Sequence, residues 1–232
     1  MTTDAAPLHA GFLVFPGVMA LDLVGPLAVL SRVPGCRAHV VWKQAGPVTA
    51  ACGLGLVADA GFRDCPPLDV LCVPGGPGVD DLLDDGDVLA FVRATAARAR
   101  WVTSVCTGSL LLGAAGLLSG RRAACHWMSR DLLRAFGAEP VAERVVIDGN
   151  IVSGGGVTAG IDFGLRLAAL IAGDDVAKAI QLAIEYQPEP PFDAGTPEGA
   201  GPVIAARVES DMADRQRHRA ARVAAAAERQ GP

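Results

Sequence analysis

The chain has 232 residues, of which 51% are hydrophobic and 19% charged, so a disordered polymer is excluded and a sizeable core is expected. The net charge is −5, and its Lys and Arg residues are scattered. Nucleic-acid binding is therefore not expected, because phosphate contacts need a clustered basic face. We find no signal-peptide pattern, and the longest apolar runs, such as residues 110–118, are about half the roughly 20 residues that a membrane-spanning helix needs. We expect a cytoplasmic protein without membrane or nucleic-acid partners.

Apolar patterning divides most of the chain into alternating strands and helices. In chain order the first half predicts strand 11–15, helix 20–31, strand 38–43, a hairpin or strand pair within 51–62, strand 69–73, helix 87–100 and strand 101–105. The second half predicts helix 110–118, strand 121–125, helix 129–136, a strand pair over 145–153, and helices 158–172 and 174–186. This alternation is typical of a doubly wound α/β fold, with a mainly parallel sheet and helices on both faces.

The C-terminal part of the chain has a different composition. Residues 187–202 are rich in Pro and Gly, which indicates a surface connection. Residues 203–230 are rich in Ala, Arg and Glu, which predicts a solvated helix that packs one narrow stripe on the domain or on a partner subunit. We therefore divide the chain into an α/β domain, residues 1–188, and a connection with a helical tail, residues 189–232.

The most informative segment is SVCTG at residues 104–108, between a predicted strand and a predicted helix. A side chain raised by a sharp strand-to-helix turn needs small residues two positions away on either side, and Ser104 and Gly108 meet that requirement around Cys106. Ligands bind at the carboxyl ends of strands in open α/β sheets, and a helix N-terminus favours thiolate over thiol. We predict that Cys106 is a nucleophile that reacts near neutral pH. The alternative is a buried structural cysteine.

A second loop, PGGPG at residues 74–78, follows another apolar strand and opens at the same edge of the sheet. An anionic intermediate at Cys106 needs two N–H donors, and the predicted pair is the backbone N–H of Gly76 and that of Thr107. Pro77 has no N–H to offer. The alternative for this loop is a plain tight turn.

Two further side chains are candidates for proton transfer and substrate contact. Asp22 lies one turn into an otherwise apolar helix, where burial and an adjacent thiolate would both raise its pKa and keep a proton available. A dipole or capping role at the helix start is the alternative for Asp22. His126 begins a loop after a short strand, and it could reach the site or simply pack in a turn.

The remaining cysteines are predicted to be reduced packing residues: Cys36, Cys52, Cys65, Cys72 and Cys125. The sequence holds no HExxH, no CxxC pair and no carboxylate cluster with ligand spacing, so no metal site is predicted. The acidic residues Asp80, Asp81, Asp84 and Asp85 are interpreted as a helix start with a solvated face. Nucleotide-binding glycine motifs are absent from the sequence, so we expect no nucleotide cofactor.

Four motifs together resemble the DJ-1/PfpI superfamily: SVCTG at 104–108, PGGPG at 74–78, LDLVGP at 21–26 and TAGID at 158–162. The resemblance extends over residues 10–188 and implies a flavodoxin-like homodimer without a cofactor. Within the superfamily the motifs are most similar to members that hydrate isonitriles to N-substituted formamides. The catalytic cysteine of those members, the threonine after it and a first-helix aspartate fall on Cys106, Thr107 and Asp22.

Other members of the superfamily fit the motifs less well. Peptidase-type members usually have His directly after the cysteine, where this chain has Thr107, and residues 158–163 lack the His of a glutaminase-type triad. AraC-type regulators also resemble the domain, including ACHW at 124–127, but they continue into a DNA-binding domain of about 100 residues. Only about 40 residues follow Tyr186. A ligand or redox sensor that uses Cys106 remains the alternative function.

Overall fold

The computed structural model describes residues 7–230, in which strands and helices alternate as far as Ala183. The strands are β1 (Leu8–Leu13), β2 (Cys36–Trp42), β3 (Gly46–Thr49), β4 (Gly55–Ala58), β5 (Ala60–Gly61), β6 (Val70–Val73), β7 (Trp101–Val105), β8 (Arg122–Ala123), β9 (Glu139–Pro140), β10 (Val145–Asp148) and β11 (Ile151–Gly154). The α-helices are α1 (Ala20–Leu30), α2 (Val79–Leu82), α3 (Gly86–Ala96), α4 (Gly108–Ala114), α5 (Ala159–Ala172), α6 (Asp174–Ala183), α7 (Pro197–Ala200) and α8 (Pro202–Glu228). A 3-10 helix covers Trp127–Phe136.

Seven of the strands form one sheet in the order β10-β11-β7-β6-β1-β2-β5. All neighbours in this sheet are parallel except β10 and β11, which form an antiparallel hairpin. Strands β3 and β4 pair separately as a second hairpin. The predicted α/β fold with a mainly parallel sheet is therefore confirmed.

The order of the strands places three loops side by side. From β1 the chain moves to β2 on one side, and it later returns to β6 and β7 on the other side of β1. Right-handed crossovers in opposite directions place α1 and α3 on opposite faces of the sheet. The carboxyl ends of β1, β6 and β7 meet at this reversal of strand order, which is where open α/β sheets bind ligands.

Helix α1 is held in place by a close approach to α5. A Cβ added at Gly160 would lie 2.9 Å from Cδ of Pro26, and one added at Gly164 would lie 3.1 Å from Cβ of Val29. These two glycines of α5 therefore let α1 approach its backbone closely. Because Asp22 belongs to the first turn of α1, this contact also fixes the position of its carboxyl group.

Several predicted boundaries differ from the structure. The hairpin β3–β4 begins at Gly46, before the predicted start at residue 51. Residues 129–136 belong to a 3-10 helix that begins at Trp127, because the side chain of His126 caps its start by accepting from the N–H of Met128. The helix predicted over 110–118 ends at Ala114, and Gly116 follows with a φ of 78°.

The tail helix α8 packs on the domain, against α2, α4 and the 3-10 helix. Its buried residues are Arg219, Val223 and Ala226, which form the narrow stripe that the composition predicts. The acidic segment is different from its prediction, because Asp80 is only 5% exposed and not part of a solvated face. Its neighbours Asp81 and Asp84 are exposed.

The six cysteines all have free thiols, as expected, but their environments differ. Cys72, Cys106 and Cys125 are buried, whereas Cys52 is exposed, so its predicted packing role is wrong. No helix within residues 7–230 has the length and apolar character needed to cross a membrane.

Candidate active site

Cys106 occupies a sharp turn between β7 and α4. Its φ is 57°, in the left-handed region that residues other than glycine seldom adopt, so the backbone is strained at this position. Small neighbours make the turn possible, because a Cβ added at Gly108 would lie 2.1 Å from the carbonyl oxygen of Val73. The N–H of Cys106 donates to the carbonyl of Gly154 at 3.1 Å, which ties the turn to the end of β11. The predicted strand-to-helix turn is therefore present.

Asp22 is fully buried and does not cap its own helix. Its Oδ2 atom accepts a hydrogen bond from the N–H of Gly75 at 2.9 Å. Its Oδ1 atom has no partner among the described residues, although buried polar atoms normally have one. The capping alternative for Asp22 is excluded by this geometry, and one carboxyl oxygen is left available for other chemistry.

The PGGPG loop brings Asp22 and Thr107 together. A Cβ added at Gly75 would lie 2.6 Å from the backbone nitrogen of Thr107 and 2.9 Å from Oδ2 of Asp22, so this position requires glycine. Sequence reasoning did not single out Gly75, although the glycine doublet after an apolar strand was the available signal. The close approach of its backbone is what allows Asp22 to lie beside the turn at Cys106.

The predicted oxyanion donors are arranged differently from expectation. The N–H of Gly76 donates to Oγ1 of Thr107 at 3.0 Å, so it is already engaged. The N–H of Thr107 points to the sulfur of Cys106, whose pKa it lowers. An oxyanion at Cys106 would have to displace the Thr107 hydroxyl to receive both N–H groups, and the oxyanion role of Gly76 stays a prediction.

Burial dominates the electrostatics of the site. It raises the pKa of Asp22 from 3.8 to about 7, while the Gly75 N–H and the side chain of Cys106 lower it. The expected pKa-raising effect of burial is thus present, but Cys106 acts in the opposite direction to the one predicted.

Burial raises the pKa of the Cys106 thiol well above its usual value, and the charges of Asp22 and Cys125 raise it further. The N–H of Thr107 and the guanidinium of Arg219 act in the opposite direction. Burial therefore opposes the expected preference for thiolate, and the reactivity of Cys106 near neutral pH stays a prediction. Asp22 and Cys106 therefore influence each other, because the charge of Asp22 raises the pKa of the thiol and the Cys106 side chain lowers the pKa of the carboxyl group.

His126 lies at the start of the 3-10 helix, where its Nδ1 atom accepts from the N–H of Met128 at 3.4 Å. Among the described residues its ring makes no hydrogen bond to Cys106, Asp22 or Thr107. Burial lowers the pKa of His126 and Arg219 lowers it further, which favours a neutral ring. Contact between His126 and a substrate stays a prediction.

Buried serine residues connect the elements that carry the site through hydrogen bonds. Oγ of Ser104 lies 2.9 Å from Oγ of Ser109, which donates to the carbonyl of Ala124 at 2.6 Å. The N–H of Ala124 donates to Oγ of Ser153 at 2.8 Å. These bonds join β7, α4 and β11 to the segment that carries Cys125 and His126. Within residues 7–230 no group of three potential metal-binding side chains lies together.

The family model described as the DJ-1/PfpI family matches residues 9–170. This chain belongs to the DJ-1/PfpI family. An isonitrile hydratase from Pseudomonas putida is 56% identical over 193 residues, which cover 83% of this chain and 85% of that protein. The crystal structure of a THiJ/PfpI family protein from Pseudomonas syringae is 41% identical, with a TM-score of 0.91, and covers 94% of this chain and 91% of its own. The predicted superfamily is therefore confirmed.

A transcriptional regulator is also similar to this chain, but the match covers only part of the regulator's length. The HTH-type transcriptional regulator GbdR of Pseudomonas aeruginosa is 31% identical over 189 residues. The match covers 78% of this chain but 51% of the regulator. This chain is thus similar to about half of that protein.

Proposed function

We propose that the protein is an isonitrile hydratase, which adds water to an isonitrile and releases an N-substituted formamide. The observation that carries the proposal is the buried pair of Cys106 and Asp22, in which Oδ1 of the carboxyl group has no partner among the described residues. The similarity to the Pseudomonas putida enzyme supports the same activity.

The chemistry of isonitriles explains why such a pair is suitable. The terminal carbon of an isonitrile has both a lone pair and electrophilic character, so hydration places a nucleophile and a proton on the same atom. The site must therefore direct a nucleophile and a proton donor to one point. A thiol beside a carboxyl group meets this requirement, and the pKa of about 7 at Asp22 suits proton transfer at neutral pH.

In the first step the Cys106 sulfur forms a bond to the terminal carbon. Asp22 accepts the thiol proton and passes it to the same carbon, so the product is a thioimidate in which the carbon carries sulfur and hydrogen. The high pKa of Cys106 is compatible with this step, because the neighbouring carboxylate removes the proton as the sulfur attacks. No net charge has to leave the buried site.

In the second step a water molecule adds to the thioimidate carbon. Asp22 takes a proton from this water and passes it to the nitrogen, which gives a tetrahedral intermediate with a hydroxyl group. Collapse of this intermediate breaks the carbon–sulfur bond, and the hydroxyl proton passes through Asp22 to the Cys106 sulfur. We assign the positioning of the water to Asp22 and Thr107, whose hydroxyl is held by the N–H of Gly76. The sum of the steps is isonitrile plus water giving formamide, with the enzyme unchanged.

The reaction as written needs no cofactor, and we propose that the enzyme works in the cytoplasm as a homodimer. The family resemblance supports the dimer. Leu21 and Val24 flank Asp22 on α1 and are 39% and 37% exposed, which offers an apolar surface for a second copy. His126 is a proposed substrate contact.

The activity is tested with purified protein and cyclohexyl isocyanide. We expect the isonitrile absorbance to fall as the formamide appears by mass spectrometry, and we expect Cys106→Ala to lower kcat/KM by at least about 10³-fold, because the proposed thioimidate forms on its sulfur. Cys52→Ala is the matched control and should retain full activity, since Cys52 is exposed. Robust turnover by Cys106→Ala would exclude the proposal.

The similarity to half of a transcriptional regulator supports a second candidate, a ligand or redox sensor domain. Mild peroxide followed by mass spectrometry distinguishes the two functions. Selective sulfinic acid at Cys106 without isonitrile turnover would favour the sensor. The raised pKa of Cys106 argues against a redox sensor, because peroxide reacts with the thiolate.

A further inference from the structure

The C-terminal helix α8 buries an arginine beside the candidate active site. Most of α8 is exposed or partly exposed, and its buried residues Arg219, Val223 and Ala226 follow each other at helical spacing on one stripe. The stripe therefore buries a guanidinium as deeply as its aliphatic side chains, with only 5% of the Arg219 side chain exposed. Burial of a charge is costly unless it is paired and hydrogen-bonded.

The pairing of Arg219 is bidentate. Its Nε atom donates to Oδ1 of Asp80 at 2.6 Å, and its Nη2 atom donates to Oδ2 of the same carboxylate at 3.3 Å. Its Nη1 atom donates to Oγ of Ser129 at 3.1 Å. Ser129 in turn donates to Oε1 of Gln216 at 3.1 Å, so the 3-10 helix and α8 are joined by two side chains of α8.

Stability alone is a weak reason for this arrangement. Replacement of a buried ion pair by well-packed apolar residues is often neutral or stabilising. Nearby on α8, Arg222 makes an ion pair with Asp84 at 2.6 Å in which both side chains are partly exposed. Helix α8 could therefore be anchored to the acidic segment without a buried guanidinium.

The position of Arg219 indicates a role for its buried guanidinium at the active site. Ser129 lies three residues after His126 and four after Cys125, so the guanidinium holds the segment that packs against the catalytic turn. Three charged or titratable groups act on the Cys106 sulfur: Asp22 from α1, Cys125 from the segment after β8 and Arg219 from α8. Asp22 and Cys125 oppose negative charge on the sulfur, whereas Arg219 favours it.

We propose that Arg219 is a positioning residue of the hydration reaction, which completes the active site from α8 by holding the Cys125–Ser129 segment and stabilising negative charge on the Cys106 sulfur. The inference rests on the proposed role of the Cys106–Asp22 pair. Asp80 orients the guanidinium, whose positive charge favours negative charge on the sulfur atoms of Cys106 and Cys125.

The test measures the reactivity of the thiol separately from hydration. The rate of Cys106 alkylation by iodoacetamide is followed from pH 6 to pH 10 by mass spectrometry of its peptide, and kcat and KM are measured with cyclohexyl isocyanide. For Arg219→Gln we expect alkylation at a given pH to be about tenfold slower, with the profile shifted about one unit to higher pH, because one pKa unit is a tenfold change in thiolate. We expect kcat to fall more than KM rises.

Three further variants separate charge from packing. Arg219→Lys keeps the charge and should recover most of the alkylation rate, while Arg222→Gln is the matched control on the same helix and should behave as wild type. Asp80→Asn keeps the guanidinium but removes its counter-charge, so Cys106 should alkylate at the wild-type rate or faster. A purely structural role would make Asp80→Asn slower, like Arg219→Gln.

The proposal is overturned if folded Arg219→Gln alkylates at the wild-type rate, or if Asp80→Asn slows alkylation. If Arg219→Gln does not fold, Asp80→Asn still decides the question, because the proposal expects its alkylation at the wild-type rate or faster and a purely structural role expects it to be slower. Absence of isonitrile turnover in the wild type would contradict the proposed function, while the alkylation rates would still test the effect of Arg219 on the sulfur.

Discussion

Two buried aspartates lie at the same edge of the sheet but differ in the hydrogen-bond partners of their carboxyl groups. Asp22 lies in the first turn of α1 after β1, and Asp80 lies in the first turn of α2 after the neighbouring strand β6. Their exposed fractions are 0% and 5%. Asp22 accepts one backbone N–H and keeps one oxygen without a partner among the described residues, whereas Asp80 accepts two bonds from Arg219.

This difference separates a carboxyl group kept for chemistry from one used to orient another residue. A carboxylate with both oxygens paired to one guanidinium is occupied in orienting that side chain. A carboxyl group that is buried with one partner exchanges a proton near neutral pH, as the pKa of about 7 at Asp22 shows. The two aspartates should therefore respond to mutation with opposite signs of stability change.

The largest effect on stability is expected for Asp80→Ala. Removal of the carboxylate leaves the Arg219 guanidinium buried with Ser129 as its remaining side-chain partner, so the free energy of unfolding should fall by about 3–5 kcal/mol. Urea unfolding monitored by circular dichroism measures this change. A loss below about 1 kcal/mol would show that the charge is not held in the interior, and the contrast with Asp22 would then disappear.

Asp22→Asn should stabilise the protein, and more so at higher pH. The pKa of Asp22 is about 7 in the folded protein and near 3.8 when unfolded, so its contribution to stability is full below pH 3.8 and is lost as the pH rises through 7. Asn does not titrate. The stability advantage of the variant should therefore grow by about 2–3 kcal/mol between pH 5 and pH 8.

Urea unfolding at both pH values checks this prediction, with hydration activity lost in the same variant. The matched control is Asp174→Asn, which changes an exposed aspartate at the start of α6. Its effect on stability should not vary between the two pH values. An Asp22→Asn advantage that is constant with pH would mean that Asp22 is not protonated in the folded protein near neutral pH.

The smallest effect is expected for Arg222→Gln. Arg222 contacts Asp84 and the carbonyl of Asp80, but its side chain is 31% exposed and the partner carboxylate 39% exposed. Partly exposed ion pairs contribute up to about 1 kcal/mol, and we expect a loss of no more than that. A loss as large as that of Asp80→Ala would show that the whole contact of α8, and not one buried charge, holds the helix.

Local patterns in the sequence predicted the fold and much of the site. The strands β1, β6 and β7 are short apolar runs, each closed by a turn, and such runs are the expected signal for buried parallel strands. Small residues around Cys106 predicted its sharp turn, and an acid in an apolar helix marked Asp22. These features could be found because each depends on neighbouring residues.

The features that were missed depend on residues far apart in the chain. Asp80 looked like a solvated helix start because nothing near it in sequence indicates its partner, which lies 139 positions later. Arg219 looked like one of several arginines on a polar helix for the same reason. The raised pKa of Cys106 was missed because a helix N-terminus can be recognised from sequence, whereas the depth of burial cannot.

The separation of Asp80 and Arg219 also has a consequence for folding. Closing a loop of 139 positions is entropically unfavourable, so we expect this ion pair to form after the elements on both sides of it have folded. The environment of the Cys106 sulfur is therefore complete only in molecules whose early and late segments have joined. Reactivity at a single thiol becomes a reporter of whether the polypeptide has folded along its length.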